Sequence, residues 1–200
     1  VLLQWLSYRQ YLRFRATNMP RSHQPSSPSD DLAAFPSRQG SHTIGILSED
    51  IAAFCQSGIS VIVAVRGRDG DPIAGLALGC TIDTAGSLRI LLQRSANEVL
   101  LDALIAGSRI AATFSRPADH RSIQLKGSDA ALHGTKAEDE EVLAAQCAGM
   151  ARELVDAGYS PAFAAGYCAY AFPDIVVVAF DPEQIFVQTP GPGAGSRLLP

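Results

Sequence analysis

Residues 89–127, RILLQRSANEVLLDALIAGSRIAATFSRPADHRSIQLKG, decide how this chain is read. An apolar strand ends at Arg94-Ser95 and a helix-like run follows. A second apolar strand then turns through Pro117-Ala118-Asp119 into the alternating segment Arg121-Ser122-Ile123-Gln124-Leu125-Lys126-Gly127. Successive side chains of a strand point to opposite faces, so Arg121, Ile123 and Leu125 share one face and Ser122, Gln124 and Lys126 the other. The polar face offers a hydroxyl, an amide and an ammonium to the edge of a ligand ring. Arg94 and Ser95 stand where a strand gives way to a helix N-terminus, where free amides and the positive end of the helix dipole suit a phosphate. A guanidinium there can hold two phosphate oxygens at once. The residues alone also allow a plainer reading. Ser95 is then a helix cap beside a surface Arg94, and the polar row is a solvated sheet face.

Working outward, Ser95-Ala96-Asn97-Glu98 has the form of a capping box, and Val99, Leu100, Ala103 and Leu104 form the helix's apolar face up to Gly107. On the N-terminal side, Ser48 is expected to cap a short helix through Phe54. Residues 59–65 read as a β-branched strand, and Arg68-Asp69-Gly70-Asp71-Pro72 as a tight turn. One strand is expected from Ile73 to Ile82 and another from Leu88 to Gln93, making an antiparallel meander. On the C-terminal side, Thr135-Lys136-Ala137-Glu138 reads as a second capping box. It opens a long helix with an acidic first turn and an apolar stripe of Leu143, Cys147, Met150 and Leu154. A further helix is expected within Ser160–Ala171, then strands at Asp174–Phe180 and Gln184–Gln188. The segment from Thr189 to Gly195 is too rich in Pro and Gly for regular structure. Meanders interrupted by helices make an α+β fold: an antiparallel, closed or partly closed barrel of about six or seven strands with flanking helices.

Composition narrows the function. The 200 residues suffice for one domain with a sizeable core. A hydrophobic share of 47% against 18% charged residues is the balance of a globular chain. The net charge of -4 argues against nucleic acid as a partner. No apolar run is long enough to span a bilayer as a helix, so no membrane partner is expected. Cys55, Cys80, Cys147 and Cys168 are far apart in apolar segments, which suits free buried thiols and a reducing cytoplasm. No histidine pair has ligand spacing, and no metal is expected. His120 falls in a turn beside the polar row, where it is either solvated or placed to act as an acid or a haem ligand. Residues 1–40 read as a flexible extension, basic and without acidic residues up to residue 29. Residues 41–200 read as a single domain.

The motifs Arg94-Ser95, Thr113-Phe114-Ser115-Arg116-Pro117, His120-Arg121-Ser122-Ile123-Gln124-Leu125-Lys126-Gly127 and Phe186-Val187-Gln188-Thr189-Pro190-Gly191-Pro192-Gly193-Ala194-Gly195 together carry a resemblance. They are similar to the pyridoxamine 5'-phosphate oxidase-like, FMN-binding split-barrel family, in an uncharacterised bacterial branch. The resemblance implies a split β-barrel homodimer holding flavin mononucleotide (FMN) between its subunits, and an oxidoreductase acting on a small molecule. Arg94, Ser95, Arg121, Ser122, Gln124 and Lys126 are the implied cofactor-binding residues. The sequence also departs from the pattern. The strand at Pro72–Gly79 lacks the basic residue common in this branch, and Arg121-Ser122 stands where the oxidase proper has Arg-Gln. Pyridoxamine phosphate oxidation itself is therefore not expected, and a non-catalytic module for haem or another small ligand on the same barrel stays open. No residue stands out as a catalytic acid or base.

Overall fold

A computed structural model describes residues 43–198. The expected N-terminal extension lies outside the described residues. The elements run β1 (Thr43–Ile44), β2 (Leu47–Ser48), α1 (Glu49–Cys55), β3 (Ser60–Arg66), β4 (Pro72–Ala77), β5 (Gly79–Ile82), β6 (Leu88–Gln93), α2 (Glu98–Ile105), β7 (Ile110–Ser115) and β8 (Ser122–Gly127). They continue with β9 (Ala131–His133), α3 (Ala137–Asp156), α4 (Pro161–Tyr167), β10 (Ile175–Phe180), β11 (Gln184–Val187) and β12 (Arg197–Leu198). A six-stranded sheet has the order β12-β11-β8-β7-β3-β4 and a four-stranded sheet the order β5-β6-β10-β9. Every strand pair among the described residues is antiparallel.

The two sheets close on one core as the halves of a split barrel. Val61 and Val63 of β3, Phe114 of β7, and Ile123 and Leu125 of β8 meet Ile90 and Leu92 of β6 and Val176 and Val178 of β10. Burying side chains of this size stabilises by roughly 1.5–3 kcal/mol each. The expected α+β antiparallel architecture is thus observed, with the very short strands β1, β2, β9 and β12 added to the longer ones. The four-stranded sheet is covered on its other face too, where Leu143 and Cys147 of α3 pack on Leu91 and Val177. Burial on both faces explains why β10 is an unbroken β-branched run and not an alternating one.

Local signals hold at several points. Ser48 Oγ accepts from the Ile51 amide at 3.3 Å and caps α1. Gly70, at φ +87°, makes the β3–β4 reversal in the conformation its lack of a Cβ permits.

The expected strand from Ile73 to Ile82 is instead two strands in different sheets. The Leu78 amide already bonds to Leu91 O at 2.9 Å, so the chain leaves β3 and joins β6 within two residues. Gln146 of α3 fixes the crossing. Its Oε1 accepts from the Cys80 amide at 2.9 Å and its Nε2 donates to Cys80 O at 2.7 Å. A Cβ on Gly79 would lie 2.6 Å from Gln146 Oε1, so any larger residue would push that side chain off its contacts with Cys80.

The second capping box is shifted by one residue. Lys136 is the cap position of α3, and Asp139 Oδ2 accepts from its amide at 2.7 Å. Asp139 is buried and is clamped at 2.8 and 2.9 Å by both terminal nitrogens of Arg89, which ties α3 to β6. Burial alone would raise the Asp139 pKa, but the Arg89 guanidinium and the Lys136 amide outweigh it and hold the carboxyl below its usual range.

Candidate functional site

Strand register places the polar row. Ser122 pairs with Ser115, Gln124 with Thr113 and Phe186, and Lys126 with Ala111 and Gln184. Directly paired residues share a face. Ser122, Gln124 and Lys126 therefore stand with Thr113, Ser115 and Phe186 on the side of the six-stranded sheet away from the core, while Ile123 and Leu125 are buried within it. Each polar side chain is already oriented by a neighbour. Gln124 Nε2 donates to Thr113 Oγ1 at 2.9 Å, and Lys126 Nζ lies 4.4 Å from the centre of the Phe186 ring. Ser122 Oγ lies 2.7 Å from Ser115 Oγ and 3.0 Å from His120 O. The Gly- and Pro-rich tail closes one end of the row. Thr189 is buried, accepts from the Ser122 amide at 3.0 Å, and follows Gln188, whose amide donates to Ser122 O at 2.9 Å.

Arg121 faces the other way, as alternation requires. Its guanidinium lies 4.9 Å from the centre of the Phe54 ring, beside that of Arg116 at 5.4 Å. Burial, and then the Arg116 charge, lower its pKa. Arg121 thus belongs to the hairpin end and the α1 side, apart from the Ser122–Gln124–Lys126 row.

Arg94 and Ser95 lie at the end of β6 in the other sheet. Both are exposed. Ser95 is not the cap of α2: the helix begins at Glu98 with Asn97 before it, and Ser95 Oγ donates to Asp174 Oδ2 at 2.5 Å. The Ser95 amide also points to that carboxylate, at 3.3 and 3.4 Å. The expected capping box fails because Asp174, 79 residues away in sequence, takes the hydroxyl. Asn97 is drawn inward, its Nδ2 donating to Gln93 O at 2.8 Å and Leu76 O at 3.3 Å. A phosphate at Ser95 would have to displace the Asp174 carboxylate, whereas the Arg94 side chain makes no ion pair among the described residues.

One cavity adjoins the polar row. It encloses about 440 Å³ and is lined by Ser60, Ser115, Arg116, Pro117, His120 and Ser122 from the sheet side. Met150, Leu154, Tyr159, Phe163, Tyr167 and Pro190 complete it. Tyr159 and Phe163 stack at 4.8 Å between centroids with planes 19° apart, and Phe163 and Tyr167 follow at 6.3 Å. The sequence reading missed this aromatic wall and Ser60. The signal was present in the four-residue spacing of Phe163 and Tyr167, which puts both rings on one face of α4, with Tyr159 just before its cap. His120 holds φ +61°, an uncommon backbone for a residue with a Cβ.

The buried cysteines are not activated thiols. Burial pushes the Cys147 thiol up to about 12, helped by Cys168, and raises Cys55 and Cys80 as well. All four cysteines are free thiols, and Cys55, Cys80 and Cys147 are buried. Among the described residues no group of His, Cys, Asp and Glu could hold a metal ion, and no helix is long and apolar enough to cross a membrane.

No protein-family model and no curated protein matches the chain. Solved structures do. A suspected pyridoxamine 5'-phosphate oxidase of Lactobacillus delbrueckii is 18% identical, over 70% of this chain and 93% of its own, at a TM-score of 0.45. General Stress Protein 26 of Bacillus anthracis is 11% identical, over 70% and 91%, at 0.44. A pyridoxamine 5'-phosphate oxidase-related, FMN binding protein of Nostoc punctiforme is 14% identical, over 67% and 78%, at 0.38. Identities and TM-scores this low leave the function of the chain to its own residues.

Proposed function

We propose that the chain is an FMN-binding flavoprotein of the pyridoxamine 5'-phosphate oxidase-like kind, working as a cytoplasmic oxidoreductase on a small molecule. The observation that carries the reading is the row of Ser122, Gln124 and Lys126 along an outward sheet face, held in place by Thr113, Ser115 and Phe186. Such a row suits the carbonyl and nitrogen edge of a flavin and its hydroxylated side chain. An amide both donates and accepts, a hydroxyl does likewise, and an ammonium favours electron-rich oxygens. Bound FMN would supply the electron transfer, while the protein binds, orients and excludes water.

The residues fit the ring better than the phosphate. Arg94 can give a guanidinium to a phosphate, but Ser95 is engaged with Asp174. Arg94 is therefore the stronger member of that pair, and Lys126 is the cation on the row itself. Arg121 supports the hairpin from the Phe54 side. The same outward face carries Ile62, 38% exposed, beside Ala64 and Ala111 in register, a flat apolar strip suited to a second copy of the chain. We take the working form to be a homodimer on that basis.

A second reading, a non-catalytic module for haem or another small ligand, rests on His120, an imidazole that lines the cavity. The visible spectrum of the purified protein separates the two. Flavin bands at roughly 375 and 450 nm support FMN, and a Soret band supports haem. A colourless protein that takes up no added FMN sinks the first reading.

A further inference from the structure

The cavity between α4, the C-terminal half of α3 and the β7–β8 hairpin has a chemistry of its own. One wall is a ladder of rings, Tyr159, Phe163 and Tyr167, and Met150 and Leu154 line the space beside it. Phe163 keeps 41% of its surface exposed although it is stacked on Tyr159, so a large apolar ring is presented to whatever enters. A volume of about 440 Å³ falls in the range of small-molecule sites.

The other end is a cluster of hydroxyls, Ser60, Tyr167, Ser115 and Ser122. Ser60 Oγ and Tyr167 Oη share one hydrogen bond at 3.2 Å. Two hydroxyls carry two protons and that bond uses one, so one O–H is left to donate. Burial raises the Tyr167 pKa, although the Ser60 hydroxyl opposes it, so the phenol keeps its proton at neutral pH. Ser115 and Ser122 form a second pair at 2.7 Å. Ser122 Oγ also reaches His120 O at 3.0 Å, so the Ser115 proton is left to donate only while Ser122 donates to Ser115.

Charge is balanced at the rim. Arg116 Nε donates to Asp119 Oδ1 at 3.1 Å, so the cation there already has its counter-ion. The site therefore asks for a flat apolar body with acceptor oxygens along one edge and no net charge.

We propose that this cavity binds a neutral planar aromatic carbonyl compound, its ring against Phe163 and its oxygens on the Ser60–Tyr167 and Ser115–Ser122 hydroxyls. The site shares Ser122 with the flavin row, but its aromatic wall and the Ser60–Tyr167 pair lie outside that row, so the proposal does not require the flavin reading.

Equilibrium dialysis of the full chain against three two-ring probes tests it: coumarin (neutral, two edge oxygens), naphthalene (no oxygen) and 1-naphthoate (anionic). Coumarin is expected to bind tightest. Tyr167→Phe keeps the ring and removes the hydroxyl, so coumarin affinity should fall roughly 2- to 12-fold, the worth of one neutral hydrogen bond, with naphthalene unchanged. Phe163→Ala should weaken both neutral probes. Thermal melts of each variant show whether it is folded, and Ser115→Ala repeats the hydroxyl test at the second pair. Equal binding of coumarin and naphthalene, preference for naphthoate, or no binding by any probe overturns the proposal. Because FMN uptake is read separately in the visible spectrum, failure here and failure of the flavin reading are told apart.

Discussion

Replacing Gln146 by Leu tests how the two half-barrels are spliced. The side chain is 7% exposed, and its amide satisfies both backbone groups of Cys80, a residue with no exposed surface. Leucine nearly conserves volume but leaves a buried N–H and a buried C=O without partners. Each such loss costs about 1–3 kcal/mol. Some relaxation of the β4–β5 crossing will recover part of this, so we expect a loss of about 2–4 kcal/mol. For a chain of this size that corresponds to a fall in melting temperature of about 4–16 °C. The Leu78 amide remains bonded to Leu91, so the fold should survive. Urea titration followed by far-UV circular dichroism should show a lower midpoint with an unchanged slope. Gln146→Glu keeps the acceptor for the Cys80 amide but sets a carboxylate against Cys80 O, and it should be at least as damaging. A loss below about 0.5 kcal/mol in Gln146→Leu would refute the claim that this side chain fixes the crossing, since that is the range of ordinary surface changes.

Asp139 sets an acid limit on stability. Its folded pKa lies below its ordinary value, so the contribution of the Arg89 pair is fully present above the unfolded pKa and is lost as pH falls through the folded one. Denaturant midpoints of the wild type should fall with pH in that acidic window, and Asp139→Asn should be less stable at neutral pH and flatter below it. At the phosphate end, Arg94→Ala should weaken FMN binding by about 1.5–3 kcal/mol if that guanidinium meets the phosphate. Asp174→Asn should strengthen FMN binding if Ser95 also takes part, because it removes the carboxylate an anion would face. Fluorescence titration of FMN checks both, and unchanged affinity in both variants removes Arg94 and Ser95 from the site.

What could be read from the residues was local. The alternation of Arg121–Lys126, the Ser48 cap and the Gly70 turn depend on neighbours a few positions away, and each appears as expected. What escaped depends on distant partners. Ser95 looked like a cap until Asp174 claimed its hydroxyl, and Ile73–Ile82 looked like one strand until Gln146, far along the chain, split it between two sheets. Strands as short as β9 and β12 have little sequence signal because their pairing is borrowed from β10 and β11. The site followed the same rule. The polar row was visible as a period of two, but the cavity beside it needs α4 folded back over Ser60, and one hydrogen bond across 107 residues shows that packing.

The flavin reading stands or falls on the outward face of β8. FMN should be titrated into the wild type and Lys126→Gln, with binding read as quenching of flavin fluorescence and thermal melts recorded alongside. Loss of a charge-assisted contact should raise the dissociation constant by about 1.5–3 kcal/mol, roughly 12- to 160-fold, in a variant that melts close to the wild type. Equal affinity in the two proteins, or no binding by either, would contradict a flavin lying along Ser122, Gln124 and Lys126.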